Sequence, residues 1–174
     1  MNRVLLVVLG SSLAGFFALQ AQPAGAGGLA SEMKQSYNAV KNNLLKAADK
    51  MPDENYSFKP VAEIRSFGAL VAHVADAQTR TCNAVMGQQK SGTASSKTAK
   101  ADIVASLKDS MADCDKAFDG LTDSAATEMI KIGRGESSKM GALVRTIIHD
   151  NEEYGYMAVY LRLKGIVPPS SEGR

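Results

Sequence analysis

The feature that most constrains this chain is a spacing. Val104, Leu107, Met111, Cys114, Phe118 and Leu121 recur at alternating steps of three and four. Apolar residues at that interval line one face of an α-helix. The rhythm appears in three other places. Met33, Tyr37, Val40, Leu44, Ala47 and Met51 mark a helix over residues 29–51, which Pro52 stops. Phe67, Leu70, Val71, Val74 and Val85 mark a helix over residues 66–86, with Ser66 as its N-cap. Met140, Leu143, Ile147 and Leu161 mark the last, capped by Ser137 or Ser138 and ended by Gly165 and Pro168-Pro169. Each helix carries a stripe it must bury, and four such helices do so by packing together. The prediction is an all-α four-helix bundle. Composition agrees, because tryptophan is absent and the apolar content is mostly aliphatic.

The segments between the helices read as connections. "MPDENYSFKPVAEIR" has two prolines and two aromatics and reads as a long ordered loop. "GQQKSGTASSKTAK" is a polar linker. "TDSAATEMIKIGRGES" holds room for a short extended piece at Met129–Ile132. Its "GRGESS" lacks the lysine and spacing of a phosphate loop and reads as a turn before a helix. No internal repeat or domain break interrupts the 174 residues, enough for one domain with a core. A net charge of +2 argues against a broad nucleic-acid surface.

The first segment reads as a leader. A positive start at Met1–Arg3 precedes the uncharged run "VLLVVLGSSLAGFFAL" and the small, polar "QAQPAGAGG". This is the layout of a secretory signal peptide, with cleavage after Ala21 or Ala26. At about 16 residues the run is short for a spanning helix. The expected organisation is a signal peptide over 1–26 and a bundle domain over 27–174. The expected location is periplasmic or secreted, with no membrane association after cleavage. In an oxidising compartment Cys82 and Cys114 can bridge. Were their helices antiparallel neighbours, the two cysteines would differ in height by about 12 Å, at 1.5 Å per residue. A linker returning alongside the helices would cancel the offset. A disulfide and two buried thiols both remain open at this point.

Chemistry-bearing residues are few. The chain has two histidines, His73 and His149. His149 and Glu153 lie four apart, so they share a helix face and can converge on one ion, or form an ordinary surface pair. His73 sits at the border of its apolar stripe among small residues, which leaves room for a pocket. Tyr156 and Tyr160 fall on the His149 face and can line a cleft. Arg80 and Arg145 can reach the same cleft and favour an anionic ligand, although salt bridging is the simpler role. Asp76 is a candidate to hold a histidine tautomer. Asp150 and Glu152 read as solvated charges.

Two stretches carry a resemblance. "MPDENYSFKPVAEIRSFGALVAHVAD" and "IIHDNEEYGYMAVYLRLKGIVPPSS" are similar to segments of the DinB/YfiT-like proteins. The resemblance covers residues 29–171. It implies an up-down-down-up helix path and a metal held by three histidines. His73 and His149 match the first two, and Glu153 stands where the third histidine is expected. The implied centre is a divalent metal on two imidazoles and a carboxylate, a set that suits Zn, Ni, Fe or Mn. The expected function is an exported metal-dependent hydrolase or transferase acting on an unidentified small molecule. The alternative is a non-catalytic exported bundle that binds a small ligand or a protein partner, with a degenerate metal site. No nucleic-acid partner is expected, and a homodimer is left open.

Overall fold

In the computed structural model, residues 28–173 are described. The proposed leader lies outside them. Four helices account for most of the described residues: α1 (Leu29–Lys50), α2 (Phe67–Val85), α3 (Lys100–Asp119) and α4 (Lys139–Leu163). A two-stranded antiparallel hairpin, β1 (Met129–Ile132) and β2 (Gly135–Ser138), leads into α4. The short extended piece is therefore one arm of a hairpin. "GESS", read from sequence as a turn, is the other arm, and Gly133 takes the turn at φ 61°.

The helix ends follow the local chemistry. The Ser66 side chain accepts from the Ala69 amide and Ser138 from the Gly141 amide, so α2 and α4 both start on a serine cap. Among the described residues no helix is long and apolar enough to cross a membrane.

Side-chain contacts fix the directions. α1 and α3 run antiparallel, because Lys34 meets Asp119 near the start of one and the end of the other, while Lys108 reaches Asp49. α2 and α4 are also antiparallel, since the Arg65 carbonyl before α2 accepts from Tyr160 late in α4 at 2.7 Å. α2 and α3 are parallel: Gln78 and Ser110, eleven and ten residues into their helices, bond at 3.0 Å. The path is up-down-down-up.

Parallel neighbours need a crossover, and residues 86–99 supply it by returning along α2. Asp76 anchors this return by accepting from the Ala94 amide at 2.7 Å, the Ser95 amide at 3.0 Å and the Ser95 hydroxyl. Gly92 lies so close to Asp76 that a Cβ there would clash with its backbone. The return brings Cys82 and Cys114 level. They are joined in a disulfide with Cα atoms 4.9 Å apart. The height offset expected for antiparallel helices does not arise.

The core runs the length of the bundle. Tyr37, Leu44, Phe67, Leu107, Met111, Leu143, Met157 and Leu161 are essentially fully buried. Each such side chain contributes about 1.5–3 kcal/mol through burial. The loop between α1 and α2 is held as well. Tyr56 donates its hydroxyl to the Ala48 carbonyl at 2.6 Å, and its own carbonyl accepts from the Gly68 amide at 2.8 Å. That loop delivers Arg65 to the head of α2, beside the histidine cluster.

Candidate metal centre

His73 projects from the second turn of α2, and His149 and Glu153 project from one face of α4. The antiparallel register brings them together. His73 Nε2 lies 3.1 Å from His149 Nε2 and 3.5 Å from Glu153 Oε1, and His149 Nε2 lies 3.4 Å from Glu153 Oε1. Three atoms each about 2.1 Å from one ion have these separations at ligand–ion–ligand angles of about 95–113°. This range suits a tetrahedral or facial site with positions left for other ligands.

Two further observations fit a cation. Neutral imidazole nitrogens and a carboxylate oxygen all present lone pairs, so the triangle is repulsive unless a proton or cation lies within it. Glu153 Oε2 is also buried with no hydrogen-bond partner. An unpaired buried carboxylate oxygen costs free energy that a cation would offset.

Asp150 departs from its expected role. It is fully buried rather than solvated. Its Oδ2 accepts from Gln78 Nε2 at 2.6 Å, and Gln78 Oε1 accepts from the Ser110 hydroxyl at 3.0 Å. Its Oδ1 has no hydrogen-bond partner and stands 3.6 Å from His149 Nδ1. Asp150 therefore backs the imidazole from the side opposite the cluster, where a carboxylate favours the Nδ1–H tautomer and leaves Nε2 to ligate. The one-residue step from His149 hid this, because neighbours in a helix point about 100° apart. Asp150 turns inward between α2 and α3 as His149 looks into the α2/α4 groove. Neither Asp76 nor Glu152 backs a histidine. Asp76 holds the crossover, and exposed Glu152 accepts from Tyr156 at 3.1 Å.

The electrostatics divide the two histidines. Burial lowers the His73 pKa, with the charges of Arg65, His149 and Arg80 adding to the effect. The neighbouring Asp150 carboxylate raises that of His149, against the opposing effect of burial. Burial raises both Asp150 and Glu153. Imidazole and carboxylate charges here depend closely on one another.

The single cleft expected from sequence is two. Glu153 faces a cleft of about 610 Å³ with Tyr156, Tyr160, Leu70, Glu63 and Arg65. His73 and His149 face a second, of about 340 Å³, with Arg80, Arg145 and Thr81. Tyr156 and Tyr160 thus lie on one side of the cluster, and Arg80 and Arg145 on the other. Among the described residues neither Arg80 nor Arg145 forms an ion pair, so the salt-bridge reading fails for both. Sequence reasoning passed over Arg65. Its signal was position: it ends the long ordered loop, directly before the Ser66 cap.

Comparison with known proteins agrees with the fold. The chain is similar to a DinB-like protein from Bacillus cereus ATCC 10987, with 19% identity over 79% of this chain and 93% of that one, at a TM-score of 0.67. It is also similar to a DinB-like protein from Bacillus subtilis, with 16% identity over 82% of this chain and 99% of that one, at a TM-score of 0.64. Among curated proteins none matches. At such identities the solved structures speak for the bundle alone. The family model of the DinB superfamily matches residues 36–157, a stretch that takes in α2 with His73 and most of α4 with His149 and Glu153. On that match the chain belongs to the DinB superfamily.

Proposed function

We propose that this protein is an exported, divalent-metal-dependent enzyme, a hydrolase or transferase acting on a small molecule. The observation that carries the reading is the triangle of His73, His149 and Glu153, whose donor atoms all lie within 4.8 Å of one another beside two clefts. Its donors suit Zn, Ni, Fe or Mn. When bound, such an ion supplies Lewis-acid chemistry and lowers the pKa of a coordinated water towards neutral.

The chain's own residues divide the remaining work. His73 and His149 offer neutral Nε2 atoms. Asp150, held by Gln78, keeps the His149 proton on Nδ1. Glu153 contributes one carboxylate oxygen, and as a ligand it is not available as a general base. Both imidazoles are about a third exposed, whereas the Glu153 side chain is 8% exposed, so the cluster opens on its histidine side. A substrate enters there. The Cys82–Cys114 disulfide supports export, because such bridges persist outside the reducing cytoplasm.

The test is metal analysis of protein purified without a metal-affinity tag, repeated on His73→Ala and Glu153→Ala. One ion per chain in the parent protein, lost in both variants, is expected. A metal-free parent that takes up no added divalent ion at micromolar concentration would leave a non-catalytic bundle as the reading.

A further inference from the structure

The two clefts beside the cluster differ in charge. The Glu153 side sets one arginine, Arg65, against two carboxylates, Glu63 and Glu153. The histidine side sets two arginines, Arg80 and Arg145, against Asp150 alone. Asp150 is fully buried and has one oxygen already bonded to Gln78. The surface that a ligand meets on the histidine side is therefore cationic.

Both arginines belong to that groove by helix register. On α2, His73, Ala77 and Arg80 follow one another at helical steps along the cleft, and on α4, Ala142, Arg145 and His149 do the same. The antiparallel pairing that sets Arg65 against Tyr160 also sets Arg80 against Arg145. The alanines keep the floor between the arginines and the histidines low. No carboxylate among the described residues pairs with either guanidinium, although thirteen of those residues take part in ion pairs without histidine elsewhere on the surface. Guanidinium groups are matched to the planar oxygens of carboxylate and phosphate.

We propose that Arg80 and Arg145 form an anion subsite of the histidine-lined cleft, holding the carboxylate or phosphate group of a small substrate whose reacting end reaches the His73–His149–Glu153 cluster. This rests on the metal-dependent reading for its second half only, because the arginine pair recognises charge without help from an ion. A rise of 1.5 Å per residue puts Arg80 about 10 Å along α2 from His73. The anionic group and the reacting group therefore belong to one compact molecule, as a cleft of about 340 Å³ requires. Neutral substrates of the same size are discriminated against, since they leave two guanidinium groups unpaired.

The experiment is calorimetric titration of the full chain, metal-free and zinc-loaded, with inorganic phosphate and with glutarate, at low and high ionic strength. Arg80→Gln, Arg145→Gln and the double variant are compared with Arg134→Gln, which removes the same charge from the hairpin, outside the lining of that cleft. Saturable binding of at least one anion is expected in the metal-free protein. It should weaken about tenfold or more in each cleft variant, as for a lost charge-assisted hydrogen bond, and be unchanged in Arg134→Gln. The exposed positions leave the fold intact, which thermal melts of each variant confirm. Absence of saturable binding by both anions overturns the proposal, as does binding that survives the double substitution. If zinc fails to bind but the arginine-dependent titration persists, the subsite stands and the metal-dependent reading falls.

Discussion

Along the seam between α1 and α3, Tyr37 stacks on Phe118 with ring centres 4.2 Å apart and donates its hydroxyl to the Met111 carbonyl at 3.1 Å. Lys34 and Lys41 close the rim on Asp119 and Asp115. Along the seam between α2 and α4, two imidazoles and a carboxylate crowd within 3.5 Å of one another. Both described buried side-chain atoms without a partner, Asp150 Oδ1 and Glu153 Oε2, lie on this second seam. Among the described residues the first seam leaves no buried side-chain polar atom without a partner, and the second leaves two in the same place. Natural chains tolerate such unpaired atoms mainly where function needs them. The first seam stabilises the bundle so that the second can remain poised for a ligand.

Substitutions should therefore act on different quantities at the two seams, fold stability at the first and metal binding at the second. The largest effect is expected from Phe118→Ala, which removes the stacked ring from a buried position and should cost about 3–5 kcal/mol in denaturant melts. A loss below 1 kcal/mol would mean that the α1/α3 seam is not the stabilising half. Next is the response to metal. Zinc at about 100 times its Kd should stabilise the protein by about 2.7 kcal/mol and leave His73→Ala unmoved in the same melts. Acidification should erase that increment, because a protonated imidazole cannot ligate. The metal-free protein has the opposite sign at His149. Its pKa is raised by Asp150, so that contribution is present below the ordinary histidine value and is lost as pH rises through the folded-state value. Melts with and without zinc across this range should therefore converge at low pH. Parallel curves would remove both imidazoles from the ligand set.

A smaller effect is expected from Asp150→Asn. It relieves a buried charge, so the metal-free protein should change by no more than about 1 kcal/mol in either direction. Metal affinity should fall about tenfold or more, as for loss of a group that orients a ligand. A collapse of the metal-free fold would instead make Asp150 a structural residue. The smallest change is expected outside both seams. Burial raises the Asp113 pKa, but the hydrogen bonds from Lys90 and Asn83 outweigh it and hold the carboxyl below its usual range. A depressed carboxyl stabilises above its unfolded pKa and loses that contribution as pH falls through the folded value. Lys90→Ala should therefore cost about 0.5 kcal/mol at neutral pH and nothing in strong acid, by chemical denaturation at each pH.

Much of this was legible in one dimension. The step of three and four through Val104, Leu107, Met111 and Cys114 names a helix because a 3.6-residue turn admits no other reading of it. Ser66 and Ser138 mark helix starts because a serine oxygen reaches the amide three residues on. The spacing of His149 and Glu153 put both on one face, and the resemblance supplied His73. Asp150 was misread because its neighbour on the chain faces elsewhere, and its partner Gln78 is 72 residues away. One cleft was expected where two exist, because a helical wheel gives an angle and cannot tell which neighbouring helix stands across from it.

The residue order alone determined which segments coil, where they stop and which side chains share a face, since these depend on neighbours within about four positions. Only the tertiary structure decided that α2 and α3 run parallel, that Cys82 and Cys114 lie level, and that three donor atoms from two helices meet. Each of these depends on the direction in which a crossover returns, and contacts dozens of residues apart settle that direction.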